Sequence, residues 1–345
     1  MATMRAWQVV RHGSPTQAME LRTLPVPDPQ PGEVRVRTRT TVLNYNDVDG
    51  CRGRYLTVNP PLPYTLGMEV VGDVVAAGPG QEHWQGRRVM GCARGAYGGY
   101  ADEVICSAPM LFDVPASLDD AQAAGFFFPF HLSWLGLHER GGLKAGETVL
   151  VHAGAGGVGS AAIQLAKEAG ARVLATAGGA EKLALCRSLG ADVAIDYRQG
   201  FAGAVLDATQ GRGVDLVFDG VGGAVTEESM RCLAANGRLM MIGFASGIEA
   251  EDRPLGVTGR VLCFGSVSLM GVMLAYADPV HANPAPGIHL TPRPVGEKIQ
   301  TALEALLAAG RIRPVIGDVI GFDAIPAALD RMEQRKTTGR VVAVL

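Results

Sequence analysis

The stretch HAGAGGVGS, residues 152–160, decides the fold of this chain. It follows the apolar run Val149–Val151 and spaces three glycines as Gly154-x-Gly156-x-x-Gly159. The pattern of a preceding strand, a helix from about Val158 and a second strand within about thirty residues is the context of a dinucleotide fingerprint. There the glycines allow a tight turn, close approach of a pyrophosphate and close helix packing, and the helix N-terminus offers unpaired N–H groups. The stretch therefore predicts a dinucleotide site rather than a flexible turn. Its predicted contacts are Gly154, Gly156, Gly157, Val158 and Gly159.

Short apolar runs alternate with helical patterns from about residue 145 onward. Strands are predicted over 147–153, 171–177, 193–197, 214–222 and 237–244, and helices over 158–170 and 180–190. Repeated β-α-β crossovers with strands that are apolar on both faces indicate a parallel sheet covered on both sides. The first 120 residues instead indicate short strands broken by prolines, such as VRVRTRTTV over 34–42 and MEVVGDVVA over 68–76. We therefore expect an α/β protein of two domains, closed by a helix over 296–310 and a strand over 339–345.

Composition and charge exclude several classes of function. The 345 residues carry a formal net charge of only −3, and no block of five or more like charges occurs, so a nucleic-acid partner is not expected. The start lacks the apolar core of a signal peptide, and the longest apolar stretch, 123–137, is shorter than the roughly 18 residues that span a bilayer. The six cysteines are dispersed without a CxxC pair. These features predict a cytoplasmic protein with no membrane partner.

The end of the second predicted strand distinguishes the two common dinucleotides. NAD enzymes usually place an acidic residue there for the ribose 2′-hydroxyl, whereas this strand ends in Thr176-Ala-Gly178-Gly and offers no carboxylate. Lys182, with Tyr197 and Arg198 after the third strand, could bind a 2′-phosphate instead, although Lys182 alone also fits an ordinary exposed helix position. The pattern favours NADPH.

Several motifs together resemble one enzyme family. They include LPYTLGMEVVGDVVAAG over 62–78, YGGYADEVI over 97–105, the glycine stretch with its flanks over 143–178, and RKTTGRVVAVL over 335–345. This order resembles the medium-chain dehydrogenases/reductases, and within them the zinc-independent quinone oxidoreductase branch, which includes zeta-crystallin-like proteins. The resemblance implies a GroES-like catalytic domain of residues 1–128 and 288–345, a Rossmann domain of residues 129–287 and an active site in the cleft between them. It also implies a homodimer paired through Rossmann-sheet edges.

Residue types at the family's zinc positions argue against a metal. The chain has Asn44 where zinc-dependent relatives have a cysteine, Met68 where they have a histidine, and phenylalanines near the third ligand position. An amide and apolar side chains do not make a usual zinc site. Without a Lewis acid for an alkoxide, the favoured reaction is hydride transfer to an electrophilic acceptor, a quinone or an α,β-unsaturated carbonyl, whose oxyanion hydrogen bonds can stabilise.

The resemblance also assigns roles to individual residues. Asn44 would lie near the nicotinamide and substrate, Asp47 would be structural, and Tyr55 would donate a proton unless it only packs in its loop. The predicted substrate pocket contains Tyr45, Phe128, Phe130 and Phe244, although the phenylalanines of GFFFPF, 125–130, fit a core equally well. The further predicted cofactor contacts are Gly178, Lys182, Tyr197, Val221, Gly243, Phe244, Arg335 and Arg340.

Two other functions remain open from the sequence. One is an enoyl-thioester reductase acting on an enoyl-CoA or enoyl-ACP, for which Tyr55 would be the first residue to test. The other is a non-catalytic NADPH-binding protein of the crystallin or sensor type, which would bind the cofactor and reduce nothing. The segment 277–292 is longer and richer in proline and histidine than the resemblance leads us to expect.

Overall fold

Two units of the chain each form their own core in a computed structural model that describes residues 2–54, 60–246, 254–277 and 288–345. The first unit comprises Met1–Phe128, Ala275–Glu304 and Pro314–Leu345, and the second comprises Pro129–Leu274 and Ala305–Arg313. Residues 305–313, expected in the GroES-like part, and 275–277, expected in the Rossmann part, therefore group with the opposite unit. The domain assignment of these two segments stays a prediction. No helix among the described residues is long and apolar enough to cross a membrane.

The first unit is built on antiparallel strands with buried valines. Its N-terminal elements are β1 (Thr3–Val9), α1 (Pro15–Ala18), β2 (Met19–Pro25), β3 (Glu33–Leu43), α2 (Tyr45–Cys51), β4 (Tyr64–Thr65), β5 (Glu69–Ala77), β6 (Arg88–Ala93), β7 (Glu103–Asp113), α3 (Asp120–Ala124) and α4 (Phe127–Trp134), which continues into the second unit. In β3 the valines at 34 and 36 point inward and the arginines at 35, 37 and 39 point outward, as strand alternation requires.

The second unit contains the parallel sheet that the β-α-β pattern predicts. Its elements are β8 (Thr148–Val151), α5 (Gly157–Glu168), β9 (Arg172–Ala177), α6 (Ala180–Ser188), β10 (Val193–Asp196), α7 (Ala202–Ala208), β11 (Val214–Asp219), α8 (Ala224–Met230), β12 (Leu233–Met241), α9 (Gly259–Gly265) and β13 (Ser268–Gly271). All strands pair in parallel in the order β10-β9-β8-β11-β12-β13. This is the doubly wound order of a Rossmann domain, and the predicted fold class is confirmed.

The C-terminal elements return to the first unit. They are β14 (Tyr276–Ala277), β15 (Thr291–Pro292), α10 (Arg293–Ala308), whose last four residues group with the second unit, β16 (Ile316–Gly321), α11 (Ile325–Glu333) and β17 (Arg340–Val344). The larger sheet of this unit has the order β16-β17-β3-β5-β6-β7, and an additional β3–β7 pairing closes its last four strands on themselves. The final strand β17 therefore lies directly beside β3 in the middle of the sheet.

Two predicted strands extend too far at their C-terminal ends. The strand predicted over 214–222 ends at Asp219, because its carboxylate accepts hydrogen bonds from the Val221 and Gly222 N–H groups and turns the chain. The strand predicted over 237–244 instead spans Leu233–Met241, since the residues after Met241 bond back to the loop that follows Asp219. Both corrections move residues out of the sheet and into loops at its carboxyl edge.

Candidate active site

The glycine loop connects β8 to α5 with very little free space. A Cβ on Gly154 would lie 3.0 Å from the side chains of Ala175, Cys186 and Ile163, and a Cβ on Gly159 would lie 2.2 Å from the Ala153 carbonyl oxygen. Gly156 precedes the first turn of the 12-residue helix α5 in extended conformation. Because the first N–H groups of a helix have no acceptor within the helix, this close-packed turn leaves backbone donors suited to a pyrophosphate.

The ends of β9 and β10 bring Gly178 beside Tyr197 and Gly179 beside Arg198, near where a 2′-phosphate is predicted. A Cβ on Gly178 would lie 3.1–3.3 Å from the ring and hydroxyl of Tyr197, a residue that is 39% exposed. Lys182 is half-buried on α6. Arg198 donates from Nε to Asp196 Oδ1 at 2.9 Å, and this hydrogen bond lowers the pKa of Asp196 to about 2. The cluster therefore contains one ion pair, Arg198 with Asp196, beside Gly178, Gly179 and Tyr197.

The loops after β11 and β12 are tied to each other. Ala245 N donates to Gly220 O at 3.1 Å, and Ser246 N donates to Val221 O at 2.8 Å. Gly243 and Phe244, both half-buried, lie in the second of these loops. The structure thus brings the predicted contacts Val221, Gly243 and Phe244 together at one place on the carboxyl edge of the sheet.

A buried histidine, His152, connects strand β9 to helix α8 near the same edge of the sheet. His152 is 3% exposed, its Nδ1 lies 2.9 Å from Thr176 Oγ1, and its Nε2 lies 2.8 Å from Ser229 Oγ. Ser229 uses its hydroxyl hydrogen on Val225 O at 2.6 Å, so His152 Nε2 is the donor to Ser229 and Nδ1 accepts from Thr176. Burial lowers the pKa of His152 from its ordinary 6.5, which matches a neutral ring that accepts one hydrogen bond and donates one.

In the first unit, Asn44 begins α2 at the end of β3, and Asp47 anchors this turn. Asp47 is fully buried and accepts hydrogen bonds from Asn44 N at 2.8 Å, Gly67 N at 3.1 Å and the Tyr100 hydroxyl at 2.6 Å. Burial raises the pKa of Asp47 to about 6. These contacts give Asp47 the structural role that the sequence indicated.

The side chain of Asn44 contacts a buried ion pair. Arg340 Nη1 donates to Asn44 Oδ1 at 3.0 Å, and the same guanidinium forms an ion pair with Glu69. Asn44, Glu69 and Arg340 are 9%, 2% and 6% exposed. Arg340, which is predicted to contact the cofactor, thus donates hydrogen bonds to Asn44 and Glu69. Direct cofactor binding by Arg340 stays a prediction.

The remaining predicted site residues have varied environments. Tyr45 and Phe128 are half-buried and keep some exposed surface, whereas Phe130 is 1% exposed and packs in the core, the alternative that the sequence left open. Arg335 is exposed and has a φ of +59° just after α11. Tyr55, the predicted proton donor, lies outside the described residues.

The donor set around Asn44 does not fit a metal ion. Among the described residues, no group of three or more His, Cys, Asp or Glu side chains is arranged to hold one. The one amide oxygen of Asn44 already accepts from Arg340, and Met68 is apolar and buried. A zinc ion needs nitrogen, sulfur or oxygen ligands free to coordinate it, so these residues offer no zinc site.

Two residues of the candidate site, Glu69 and Asp196, were not predicted from the sequence. Glu69 was seen only as part of the GME motif, and its pairing with Arg340, 271 residues away, has no local signal. Asp196 was seen only as a strand residue, although the parallel register places it beside Ala177 at the end of β9. A second-strand acid was sought in sequence, whereas the third strand places a carboxylate beside the end of β9.

Known proteins resemble this chain over its whole length. Residues 30–116 match the family model described as alcohol dehydrogenase GroES-like domain, and residues 157–283 match the model described as zinc-binding dehydrogenase. The chain is 32% identical over 304 residues to a quinone oxidoreductase-like protein 2 homolog of Nematostella vectensis, covering 87% of this chain and 78% of that protein. It is 33% identical over 332 residues to prostaglandin reductase-3 of Bos taurus, covering 94% and 84%.

Solved structures agree with this relationship. The Escherichia coli quinone oxidoreductase complexed with NADPH matches with a TM-score of 0.85 at 27% identity, covering 100% of both chains. The family expected from the motifs is therefore confirmed. The fold, the glycine loop and these relatives together show that the chain belongs to the medium-chain dehydrogenase/reductase superfamily.

Proposed function

We propose that this protein is a zinc-independent reductase that transfers hydride from NADPH to a quinone or an α,β-unsaturated carbonyl. The observation that carries the proposal is the glycine loop between β8 and α5, where close packing at Gly154 and Gly159 holds the start of α5 open to a pyrophosphate. Relatives named as a quinone oxidoreductase-like protein and a prostaglandin reductase support a reductase of small molecules.

The cluster at the ends of β9 and β10 supports NADPH over NADH. A 2′-phosphate carries close to two negative charges, and Lys182, Arg198 and the Tyr197 hydroxyl offer it donors. Arg198 also pairs with Asp196, and Lys182 lies in the first turn of α6, which follows Gly178 and Gly179. We expect Lys182→Gln to raise the KM for NADPH by about tenfold, the worth of one charge-assisted hydrogen bond, and to leave the KM for NADH unchanged.

In this proposal, individual residues of the chain have separate roles in hydride transfer. Bound NADPH supplies the hydride. We propose that the half-buried surfaces of Tyr45, Phe128 and Phe244 contact a planar acceptor, that Asn44 hydrogen-bonds the acceptor oxygen, and that Tyr55 donates the proton. A conjugated acceptor needs hydrogen bonds rather than a Lewis acid for its oxyanion, which agrees with the donor set around Asn44.

A homodimer through the edge of the second unit's sheet belongs to the same proposal. β13 is one of the two edge strands in the sheet formed by the described residues, and helix α9, which precedes it, exposes Phe264 by 85% and Val261 by 40%. An edge strand beside exposed apolar side chains is a template for pairing with another chain. Cytoplasmic location stays a prediction.

The test is cofactor oxidation with product mass analysis. NADPH and NADH are each offered with a planar quinone and, in parallel, with a trans-2-enoyl-CoA. Turnover of the quinone with NADPH preferred would support the proposal, whereas a saturated thioester as the main product would make the protein an enoyl-thioester reductase. Tight NADPH binding with no oxidation in a broad acceptor panel would refute a reductase altogether and leave the non-catalytic function.

A further inference from the structure

The amide of Asn44 has only one orientation that its neighbours allow. The guanidinium of Arg340 carries donors and no acceptor, so the Asn44 atom that it contacts at 3.0 Å is the amide oxygen. The same guanidinium forms an ion pair with Glu69, which holds Arg340 in place beside the amide. Arg340 therefore fixes the amide with its oxygen toward the cation, and Glu69 acts on the amide through Arg340.

The sheet of the first unit builds this arrangement from three adjacent strands. Arg340 is the first residue of β17, Glu69 is the first residue of β5, and Asn44 follows the last residue of β3, which lies between the other two strands. The register pairs Glu69 with Val42, and Val341 with Leu43. The backbone thus brings the three side chains to one end of the sheet without help from a flexible loop.

Stability alone gives little reason for this buried pair. Glu69 Oε2 and Arg340 Nε are buried and have no hydrogen-bonding partner among the described residues. A buried ion pair with unsatisfied atoms often contributes nothing net to folding, because desolvation offsets the attraction of the charges. The pair is better explained by what it does to Asn44.

We infer that Arg340 and Glu69 are positioning residues that keep the amide nitrogen of Asn44, rather than its oxygen, available to the acceptor. The inference rests on the proposed function, since it assigns to Asn44 the polarity that a developing oxyanion requires. The Asn44 nitrogen makes one long contact to Val42 O at 3.5 Å, so an N–H remains that can donate elsewhere. A free amide could rotate and present its oxygen, which would repel an oxyanion.

The first arm of the test is kinetic. The double variant Glu69→Gln/Arg340→Gln removes both charges together, so no unpaired charge is left buried, and it leaves the Asn44 amide free to turn. We expect kcat with the acceptor to fall about tenfold while the Kd for NADPH stays within about twofold, since one oriented donor is lost and cofactor contacts are not. Asn44→Asp, which keeps the shape but has no donor, should lower kcat about a hundredfold.

A mutant cycle separates positioning from simple structural support. If the three residues act as a unit, Asn44→Asp costs much less in the double-variant background than in the wild type. Equal costs in both backgrounds would overturn the inference. The matched control is Arg35→Gln/Glu103→Gln, an Arg–Glu pair at 2.8 Å that bridges β3 and β7 of the same sheet, and it should leave kcat within about twofold.

The second arm does not depend on turnover. With ¹⁵N-labelled asparagine side chains, the Asn44 NH₂ resonances are identified by their loss in Asn44→Asp. Loss of the Arg340 donor to the Asn44 oxygen in the double variant should shift these NH₂ resonances. Unchanged shifts would refute the fixed orientation. A wild-type protein that reduces no acceptor would refute the proposed function, and these resonances would still decide the orientation.

Discussion

Gly159→Ala is the sharpest test of the glycine loop, because the added methyl group would meet backbone on several sides. Its Cβ would lie 2.2 Å from Ala153 O, 2.8 Å from Ala153 C and 2.9 Å from Gly154 Cα. Ordinary contact begins at 3.4 Å, so the oxygen must retreat by 1.2 Å, and no side-chain rotation can relieve the overlap. We expect a loss of about 3 kcal/mol in the free energy of unfolding, which corresponds to a Tm lower by roughly 6–12 °C.

The same displacement should reach the cofactor. A shift of about 1 Å at the first turn of α5 misaligns N–H groups that would bond a pyrophosphate, each worth about 1.5–3 kcal/mol, so NADPH affinity should fall by at least about tenfold. Calorimetric titration with NADPH and thermal melting measure the two effects separately. The matched control is Gly203→Ala in helix α7, where a Cβ meets nothing within 4 Å and should stabilise the protein by up to about 1 kcal/mol. If Gly159→Ala binds NADPH within twofold of the wild type and melts like the control, the loop is not the cradle proposed.

Three further predictions test other parts of the molecule. His152→Gln should cost about 1–3 kcal/mol of stability, measured by denaturant unfolding, because a buried ring with two hydrogen bonds is replaced; an unchanged unfolding midpoint would contradict the network. Asp47→Asn should lower stability at pH 4 by a similar amount, since the amide NH₂ leaves one of the two backbone donors, Asn44 N or Gly67 N, without an acceptor, whereas both oxygens of a protonated carboxyl can accept; a variant as stable as the wild type there would count against it. Phe264→Lys should convert a dimer to a monomer in sedimentation experiments, and an unchanged mass would place any interface elsewhere.

Local patterns were enough to predict the second unit. Its strands and helices are set by apolar runs and by residues within a few positions of each other. The β-α-β order and the loop 154–159 could therefore be predicted from the sequence. The strand ends were not, because Asp219 ends its strand through side-chain bonds that hydropathy does not reveal. The phenylalanines of 125–130 could not be sorted either, since periodicity does not distinguish the buried Phe130 from the half-buried Phe128.

The first unit shows a different limit of prediction from sequence, which concerns contacts between distant residues. Asn44 was identified from a motif, but the orientation of its amide depends on Glu69 and Arg340, which only the strand order β17-β3-β5 brings together. A basic residue near the C-terminus fits a phosphate ligand equally well when its partners are unknown. The chemistry of an amide depends on what holds it, and that information lies in long-range pairing.

Two buried groups give the protein opposing pH responses, which the single variants can separate. The pKa of Asp47 is raised from 3.8 to about 6, so the folded state holds this proton more tightly and the resulting stability, about 3 kcal/mol, is lost as the pH rises from 4 to 6. The pKa of His152 is lowered below 6.5, so its contribution is present above pH 6.5 and is lost as the pH falls below that value. The stability advantage of the wild type over Asp47→Asn should therefore shrink as the pH rises from 4 to 6, while its advantage over His152→Gln should grow from acid pH toward 6.5. Parallel curves for wild type and either variant would show that the group concerned does not titrate as its burial requires.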